Sequence, residues 1–276
     1  YLDLKKNKFR IPRSKSEIVK IIRDRRKIKS DDKIKENKDF KSNFFKILKK
    51  RLKLNSTRNL IIHSNFTNMI NLGIKPEDFI SGIFNFFPSI TIFSPSGFFR
   101  ERKIKLNSLK KIKPNNEFGL LSKELLKRFK PKIFRNNNPF DNLIGYNRKK
   151  KYFDNKNYLA YGKDSPYRKL LNQNTSIMLL DVTFFYNSMF HMAELDANVP
   201  YRNFKKFTFN KKEFQLFARN REKLYLDYSK FEKIKEIKKI TKVINFKKIK
   251  IRIINYKSLY KTSLKLLKKN PNFLLN

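Results

Sequence analysis

Charged residues are excluded from two stretches of this 276-residue chain and crowded into the rest. Positions 59–99 hold three charged residues with a net charge of −1, and positions 170–201 hold three with a net charge of −3. Because the whole chain carries +44, the other 203 residues carry +48. A core can form where charge is absent, whereas so large a positive excess favours a polyanionic partner. The pattern therefore predicts apolar nuclei in the two neutral windows and nucleic-acid contacts elsewhere.

The charge pattern divides the chain into five segments. They are a basic N-terminal arm (1–58), a neutral core segment (59–99), a basic connector (100–169), a second neutral core segment (170–201) and a basic C-terminal helix-strand-helix region (202–276). The predicted fold class is α/β or α+β and irregular, with small apolar nuclei and long basic helical and extended arms. Low mean hydropathy and high net charge predict that the arms become ordered only when phosphate neutralises them.

The first neutral window contains an apolar run that could be taken for a membrane anchor. Phe79–Phe99 has no charged residue over 21 positions, which is long enough to span a bilayer. Two prolines, Pro88 and Pro95, interrupt it, and a membrane helix must satisfy its own backbone hydrogen bonds. We therefore expect a helix that begins at Pro76, a turn, and a short strand around Ile92, all in a soluble core.

Basic clusters interleaved with aromatic residues are the candidate RNA-binding sites, because cations contact phosphates and aromatic rings stack on unpaired bases. An ordinary solvated surface is the alternative reading of any single cluster. The candidate residues are Arg23, Arg25 and Arg26 in the N-terminal arm, Arg148, Lys149, Lys150 and Lys151 in the connector, and Lys247, Lys248, Lys250 and Arg252 in the C-terminal region.

One group of residues could carry catalysis or hold a metal. His191 and Glu194 lie three positions apart, share a helix face and could move a proton or bind a metal, with Asp196 close by. No third ligand follows at a recognised spacing, so we interpret the group as the polar edge of a packed segment. A buried or capping role is expected for His63. No glycine-rich phosphate loop is present, and we expect no catalytic residues, no metal and no cofactor.

The whole-chain character resembles an organelle-encoded mitochondrial ribosomal protein. Few Gly, abundant Lys and abundant Phe are typical of AT-rich organelle genes. The segment from His63 to Ile70 is similar to the H-x-x-F-N-N-x-I strand of a universal small-subunit ribosomal family. The resemblance implies a non-enzymatic structural constituent of the mitochondrial ribosome in the matrix, with a slight preference for the small subunit. Its partners would be rRNA and neighbouring ribosomal proteins, with no small-molecule substrate and no membrane.

The sequence leaves two other functions open. An accessory subunit of a respiratory membrane complex would use Phe79–Phe99 as its anchor. An RNA-processing or intron-encoded protein is the second alternative, since the segment Phe79–Phe84 resembles the helix of LAGLIDADG homing endonucleases. Asn85 stands where that family needs an acidic metal ligand, so the resemblance does not imply nuclease activity.

Overall fold

The computed structural model describes residues 2–3, 8–9, 38–52, 57–96, 119–129, 133–135, 142–147, 161–163, 165–209, 212–220 and 225–275. The strands are β1 (Leu2–Asp3), β2 (Lys8–Phe9), β3 (Asn59–Ser64), β4 (Thr91–Ser96), β5 (Ile133–Arg135), β6 (Asn142–Tyr146), β7 (Thr175–Leu180), β8 (Arg202–Phe209), β9 (Lys212–Arg219), β10 (Thr241–Phe246) and β11 (Ile249–Asn255). The helices are α1 (Lys38–Leu52), α2 (Thr67–Asn71), α3 (Pro76–Phe86), α4 (Leu120–Phe129), α5 (Pro166–Leu171), α6 (Phe190–Asp196), α7 (Lys235–Ile240) and α8 (Tyr256–Lys269). Two 3₁₀ turns span Phe184–Tyr186 and Tyr228–Lys233.

A mixed sheet of seven strands organises the described part of the chain, in the order β10-β11-β7-β3-β4-β6-β5. The central strand β3 runs parallel to both of its neighbours, β4 and β7, and the outer pairs are antiparallel. The β3–β7 register sets Asn59 beside Thr175 and His63 beside Leu179. Strands from the two neutral windows are therefore direct neighbours at the centre of one sheet.

Helices cover both faces of this sheet. Alternate residues of β3 point to opposite sides, so that Leu60 and Ile62 join one apolar cluster and Ile61 joins the other. Helices α1 to α4 contribute to the first cluster, and α5 to α8 contribute to the second. All six residues of β7 are buried, as expected for a parallel strand that is covered on both faces.

Local sequence explains where α3 begins and how closely α1 packs on it. Pro76 occupies the first turn, where its missing N–H costs nothing, and the Asp78 carboxylate accepts a hydrogen bond from the Lys75 N–H at 3.2 Å. Gly82 lies against the Phe45 ring, where an added Cβ would come within 2.1 Å of the ring. The absence of a side chain at this position therefore lets α1 and α3 approach closely.

The prediction of long basic arms around small apolar nuclei is wrong. Residues of the predicted arm, connector and C-terminal region supply buried parts of the main fold. In α1, Phe44 and Leu48 are 1% exposed, while Lys46 and Lys49 on the same helix are exposed. The cations occupy the outer faces of amphipathic elements, so a high local charge did not prevent core formation.

The segment Phe79–Phe99, which the membrane-anchor alternative would use, contributes to helix α3 and strand β4 instead. The predicted helix from Pro76 is confirmed by α3, whose residues Phe79, Ile83 and Phe84 are buried under the sheet, and the predicted strand is confirmed by β4. In the described ranges, no helix combines the length and apolar character that a membrane span requires.

Candidate active site

The site lies at the carboxyl edge of the parallel strands. Strand β7 ends at Leu180, and the chain then passes through the 3₁₀ turn Phe184–Tyr186 into α6. Strand β3 ends beside it, and the Asn65 N–H donates to the Leu180 carbonyl at 2.9 Å. Binding sites in open α/β sheets form at this edge, because the loops that follow the parallel strands converge there.

A histidine and a carboxylate form a hydrogen-bonded pair on α6. His191 Nδ1 lies 2.5 Å from Glu194 Oε2, and the spacing of three residues places the two side chains on one face of the helix. The Glu194 side chain is fully buried, while 19% of the His191 side chain is exposed. The buried Glu194 carboxylate therefore hydrogen-bonds Nδ1, and another part of the His191 ring is exposed to solvent.

Two further side chains complete the surroundings of Glu194. Arg202 Nε lies 3.0 Å from Glu194 Oε2, an ion-pair distance without an aligned hydrogen bond. The Tyr228 hydroxyl donates to Glu194 Oε1 at 2.8 Å and accepts from Arg202 Nη2 at 2.9 Å. Both oxygens of the Glu194 carboxylate thus have polar partners, and the Arg202 guanidinium lies beside the buried negative charge.

This arrangement keeps Glu194 ionised. Burial alone would raise the pKa of Glu194, but the charges of Arg202 and His191, with hydrogen bonds from His191 and Tyr228, lower that pKa to about 2. Burial and the neighbouring carboxylate raise the pKa of Tyr228, so its hydroxyl stays protonated and donates. A fixed negative charge therefore faces Nδ1 at neutral pH, and it favours the tautomer that carries the proton there.

The second ring nitrogen of His191, Nε2, is the one that the hydrogen bonds of the ring leave open. Within the part of the chain that the structure describes, the hydrogen bonds of this ring involve Nδ1 and none involves Nε2. The ring meets Tyr161 edge-on at a centroid distance of 5.4 Å and Tyr228 at 5.9 Å. These contacts fix the plane of the imidazole. An imidazole with its proton held at Nδ1 presents the lone pair of Nε2, and such a nitrogen can act as a general base.

Buried polar atoms without partners occur in the segment before α6 and at the end of β3. Of the described residues, His63 Nε2, Asn187 Nδ2 and Ser188 Oγ are enclosed and make no hydrogen bond. Burial lowers the pKa of His63 to about 3, with opposing contact from the Tyr186 backbone and a small further lowering from His191. His63 is therefore neutral, and it lies within electrostatic range of the reactive imidazole.

Asp196 takes no part in the pair. Its carboxylate receives both terminal nitrogens of Arg168 at 2.6 Å, and the Tyr260 hydroxyl also donates to it. These contacts connect α6 to α5 and α8. His191 and Glu194 thus form one pair, whereas Asp196 contacts neighbouring helices. Across the described residues, no group of three His, Asp or Glu could hold a metal ion.

Four of the predicted RNA-binding residues lie in the described part of the chain, and three of them are exposed. Lys247 and Lys248 form the exposed turn between β10 and β11, and Lys250 is exposed on β11. Arg252 is buried instead, where it donates to the Val182 carbonyl at 2.9 Å. The remaining candidates, Arg23, Arg25, Arg26, Arg148, Lys149, Lys150 and Lys151, lie outside the described residues.

Comparison with known proteins identifies the family. The sequence profile of the aminoglycoside 3-N-acetyltransferases matches residues 110–268, which is more than half of the chain. The chain belongs to the aminoglycoside 3-N-acetyltransferase family. None of the curated proteins matches the sequence.

Solved structures agree with this family in their fold. The apoenzyme of the aminoglycoside acetyltransferase AAC(3)-IVa is 20% identical, with a TM-score of 0.66 over 86% of this chain and 91% of the other. YokD from Bacillus subtilis is 17% identical, with a TM-score of 0.63 over 82% and 93%. The binary complex of AAC-IIIb with CoASH is 14% identical, with a TM-score of 0.64 over 82% and 96%.

Membership of the acetyltransferase family overturns the functional predictions. The resemblance to mitochondrial ribosomal proteins was misleading, and the expectation of a non-enzymatic constituent that binds rRNA and ribosomal proteins is wrong. The alternatives of a respiratory accessory subunit and an intron-encoded protein fall with it. The positive charge is a property of the protein surface, and the composition typical of AT-rich genes is a property of the sequence. Neither feature identifies the functional class of the protein. The mitochondrial location stays a prediction.

The sequence singles out His191 and Glu194, but it favoured the polar edge of a packed segment over a catalytic pair, and the residues that support them were not predicted. His191 and Glu194 stand out in the sequence, yet Arg202 and Tyr228, which make a buried carboxylate tenable, do not. A signal was present, because Glu194 lies in a neutral window and Arg202 is the first cation after that window. A carboxylate buried in such a window needs a cation, and the nearest one in sequence supplies it.

Proposed function

We propose that this protein is an N-acetyltransferase that transfers the acetyl group of acetyl-CoA to an amino group of an aminoglycoside-type acceptor. The observation that carries the proposal is the His191–Glu194 pair, a partly exposed imidazole backed by a buried, ionised carboxylate. An amine attacks a thioester only when it has lost a proton, so transfer needs a base beside the acceptor.

His191 is the base in this proposal. Nε2 accepts the proton of the acceptor amine, and the ring becomes an imidazolium whose charge the Glu194 carboxylate stabilises through Nδ1. Arg202 and Tyr228 hold the carboxylate in the geometry that this requires. The proton moves from the amine to Nε2 and then to the thiolate that leaves, or to solvent, while Glu194 stays ionised.

The residues beside the pair are suited to an acyl-CoA. Bound there, acetyl-CoA would supply an activated acetyl group on a thioester with a good leaving group. Three buried polar atoms without partners, on His63, Asn187 and Ser188, offer hydrogen bonds that a ligand can complete. Two of these residues belong to the loop that leads into α6, directly before the base.

The relatives support the nature of the acceptor. A histidine-to-alanine variant of AAC(3)-IVa is described in complexes with a gentamicin and with apramycin, and AAC-VIa is described with bound sisomicin. These compounds are amino sugars with several amines. The same class of acceptor follows for this chain from its family and from the base that it places at the carboxyl edge.

The test is acetyl transfer with the base removed. Purified protein, acetyl-CoA and gentamicin should release free thiol, and the product should gain about 42 Da for each acetyl group that replaces an amine hydrogen. His191→Ala should lower kcat by at least about 10³-fold, and added imidazole should restore part of the rate. His191→Gln keeps a donor towards Glu194 but no base, so it should fold normally and stay inactive.

A different outcome would contradict the proposal. If the wild-type protein transfers no acetyl group to any amino sugar, the function is wrong. If transfer occurs and His191→Gln retains it, the assignment of the base is wrong.

A further inference from the structure

Two exposed aromatic side chains lie in the turn that leads from β7 into α6. Phe185 is 43% exposed and Tyr186 is 51% exposed, and their rings stand at 78° to each other with centroids 5.5 Å apart. Among the described residues, these are the only two exposed large apolar side chains that are adjacent in the sequence. Holding two aromatic rings side by side in water is unfavourable, so the pair indicates a surface that a ligand covers.

Contacts with the rest of the fold fix the backbone of this turn. The Phe184 N–H donates to Glu232 Oε1 at 3.2 Å, and the Phe184 side chain is 3% exposed. Just before the turn, the buried Arg252 donates to the Val182 carbonyl at 2.9 Å. The two exposed rings therefore stand on a fixed support, and a ligand does not have to order the turn before it binds.

Tyr228 connects the aromatic pair to the imidazole of His191. The centroid of the Tyr228 ring lies 6.3 Å from that of Phe185 and 5.9 Å from that of His191. One intervening ring therefore separates Phe185 from the proposed base. A molecule of two linked sugar rings is long enough to place one amine at His191 Nε2 and to reach Phe185 with its second ring.

The acidic side chains of α6 and of the 3₁₀ turn Tyr228–Lys233 already have arginine partners. The pairs are Glu194 with Arg202, Asp196 with Arg168 and Glu232 with Arg252. The whole chain carries +44, so a polycationic acceptor gains no long-range attraction from it. The face of an aromatic ring carries partial negative charge and attracts an ammonium group at short range. Exposed aromatic rings can therefore bind a cation without a further carboxylate.

We propose that Phe185 and Tyr186 bind a second, non-reacting ammonium-bearing ring of the acceptor while the reacting amine lies at His191 Nε2. This inference rests on the proposed transfer of acetyl groups to amino sugars. The two aromatic rings contribute to binding only, and the proton transfer stays with His191. Acceptors with several linked amino-sugar rings are therefore favoured over acceptors with one.

Leucine variants remove the aromatic faces and keep apolar side chains. Phe185→Leu and Tyr186→Leu should each raise KM for gentamicin by about twofold to fivefold, and the double variant should raise it by about tenfold. The loss should appear in KM for gentamicin rather than in kcat or in KM for acetyl-CoA, because the rings touch neither the reacting amine nor the acyl donor. The matched control is Tyr225→Leu, the same change at a tyrosine that is 54% exposed outside this turn. It should leave KM for gentamicin unchanged.

Fluorinated phenylalanines at position 186 test the electrostatic origin of the contact. Tyr186→Phe keeps the ring face and should retain most of the affinity for gentamicin in calorimetric titrations with CoA present. Increasing fluorination of this phenylalanine withdraws electron density from the ring face and keeps its shape. The affinity for gentamicin should therefore fall stepwise along the series.

Three results would contradict a role of the two rings in acceptor binding. They are an unchanged KM for gentamicin in the double leucine variant, a constant affinity along the fluorinated series, and a loss confined to KM for acetyl-CoA. Each of them would overturn the inference while acetyl transfer to gentamicin persists. A wild-type protein that acetylates no amino sugar would instead reject the proposed function.

Discussion

Replacing Glu194 by glutamine is the most informative single change in this protein. The substitution keeps the shape of the side chain and removes its charge. Arg202, whose side chain is 7% exposed, then remains buried without a counter-charge. The new amide can still accept from His191, but its NH₂ must face the Tyr228 hydroxyl, which already accepts from Arg202.

Two independent considerations give the size of the effect on stability. Removing one partner of a buried ion pair costs about 3–5 kcal/mol. The lowering of the Glu194 pKa from 4.5 to about 2 corresponds to about 3 kcal/mol in favour of the ionised form. We therefore expect Glu194→Gln to lower the free energy of unfolding by about 3 kcal/mol in urea titrations.

The effect on catalysis has a separate origin. A neutral amide does not stabilise an imidazolium, and it no longer enforces the tautomer with the proton on Nδ1, so kcat should fall by about 10³-fold. Adding Arg202→Met removes the orphaned cation and should recover part of the stability without recovering activity. Thiol release and urea unfolding, measured on Glu194→Gln, on Arg202→Met and on the double variant, separate the two effects.

If Glu194→Gln keeps kcat within about tenfold of wild type while it is folded, the carboxylate does not support the base. If the double variant loses as much stability as the two single changes added together, the two residues are not coupled.

Three further predictions follow from other contacts. Burial lowers the pKa of His63 from 6.5 to about 3, so at pH 5 the unfolded chain binds a proton at this residue and the folded protein does not. The free energy of unfolding should therefore fall by about 2 kcal/mol between pH 6.5 and pH 5. In urea titrations, His63→Gln should reduce this dependence on pH. Arg168→Met should lower the free energy of unfolding by about 1–2 kcal/mol, because it removes both hydrogen bonds to Asp196, and a change below the error of measurement would contradict this. A net charge of +44 attracts a phosphorylated donor and repels a polycationic acceptor, so raising ionic strength from about 0.05 M to about 0.3 M should raise KM for acetyl-CoA and lower KM for gentamicin; steady-state kinetics that move the two constants in the same direction would refute it.

Several elements could be predicted from the sequence because their signals are local. The Pro76 start of α3 and the strand after Pro88 follow from backbone preferences that tertiary packing did not override. The pairing of the two neutral windows is not local. Register between Asn59 and Thr175 depends on contacts across the whole sheet, which no pattern within either strand specifies.

The charge pattern misled because net charge reports on partners and solubility rather than on fold. The cations of α1 and β11 lie on faces whose opposite sides are buried, so a segment can be both highly basic and part of the core. Arg252 illustrates the limit of alternation, since the covering loop at Val182 buries a position that a two-residue period assigns to solvent. The sequence places His191 and Glu194 on one helix face, yet it favoured a polar edge over a catalytic pair, because Arg202 and Tyr228 reach Glu194 only in the folded protein.

The parallel contact between β3 and β7 has a consequence for synthesis of the chain. Its paired residues lie 116 positions apart, as for Asn59 and Thr175, and β7 is then covered on its other side only by β11. A nascent chain can therefore pair β3 with β4 early, but the other side of β3 stays open until more than half of the 276 residues have been made. Fragments that stop before β11 leave β7, all of whose residues are buried in the folded protein, at an open edge, and these fragments should aggregate more readily than the 276-residue chain.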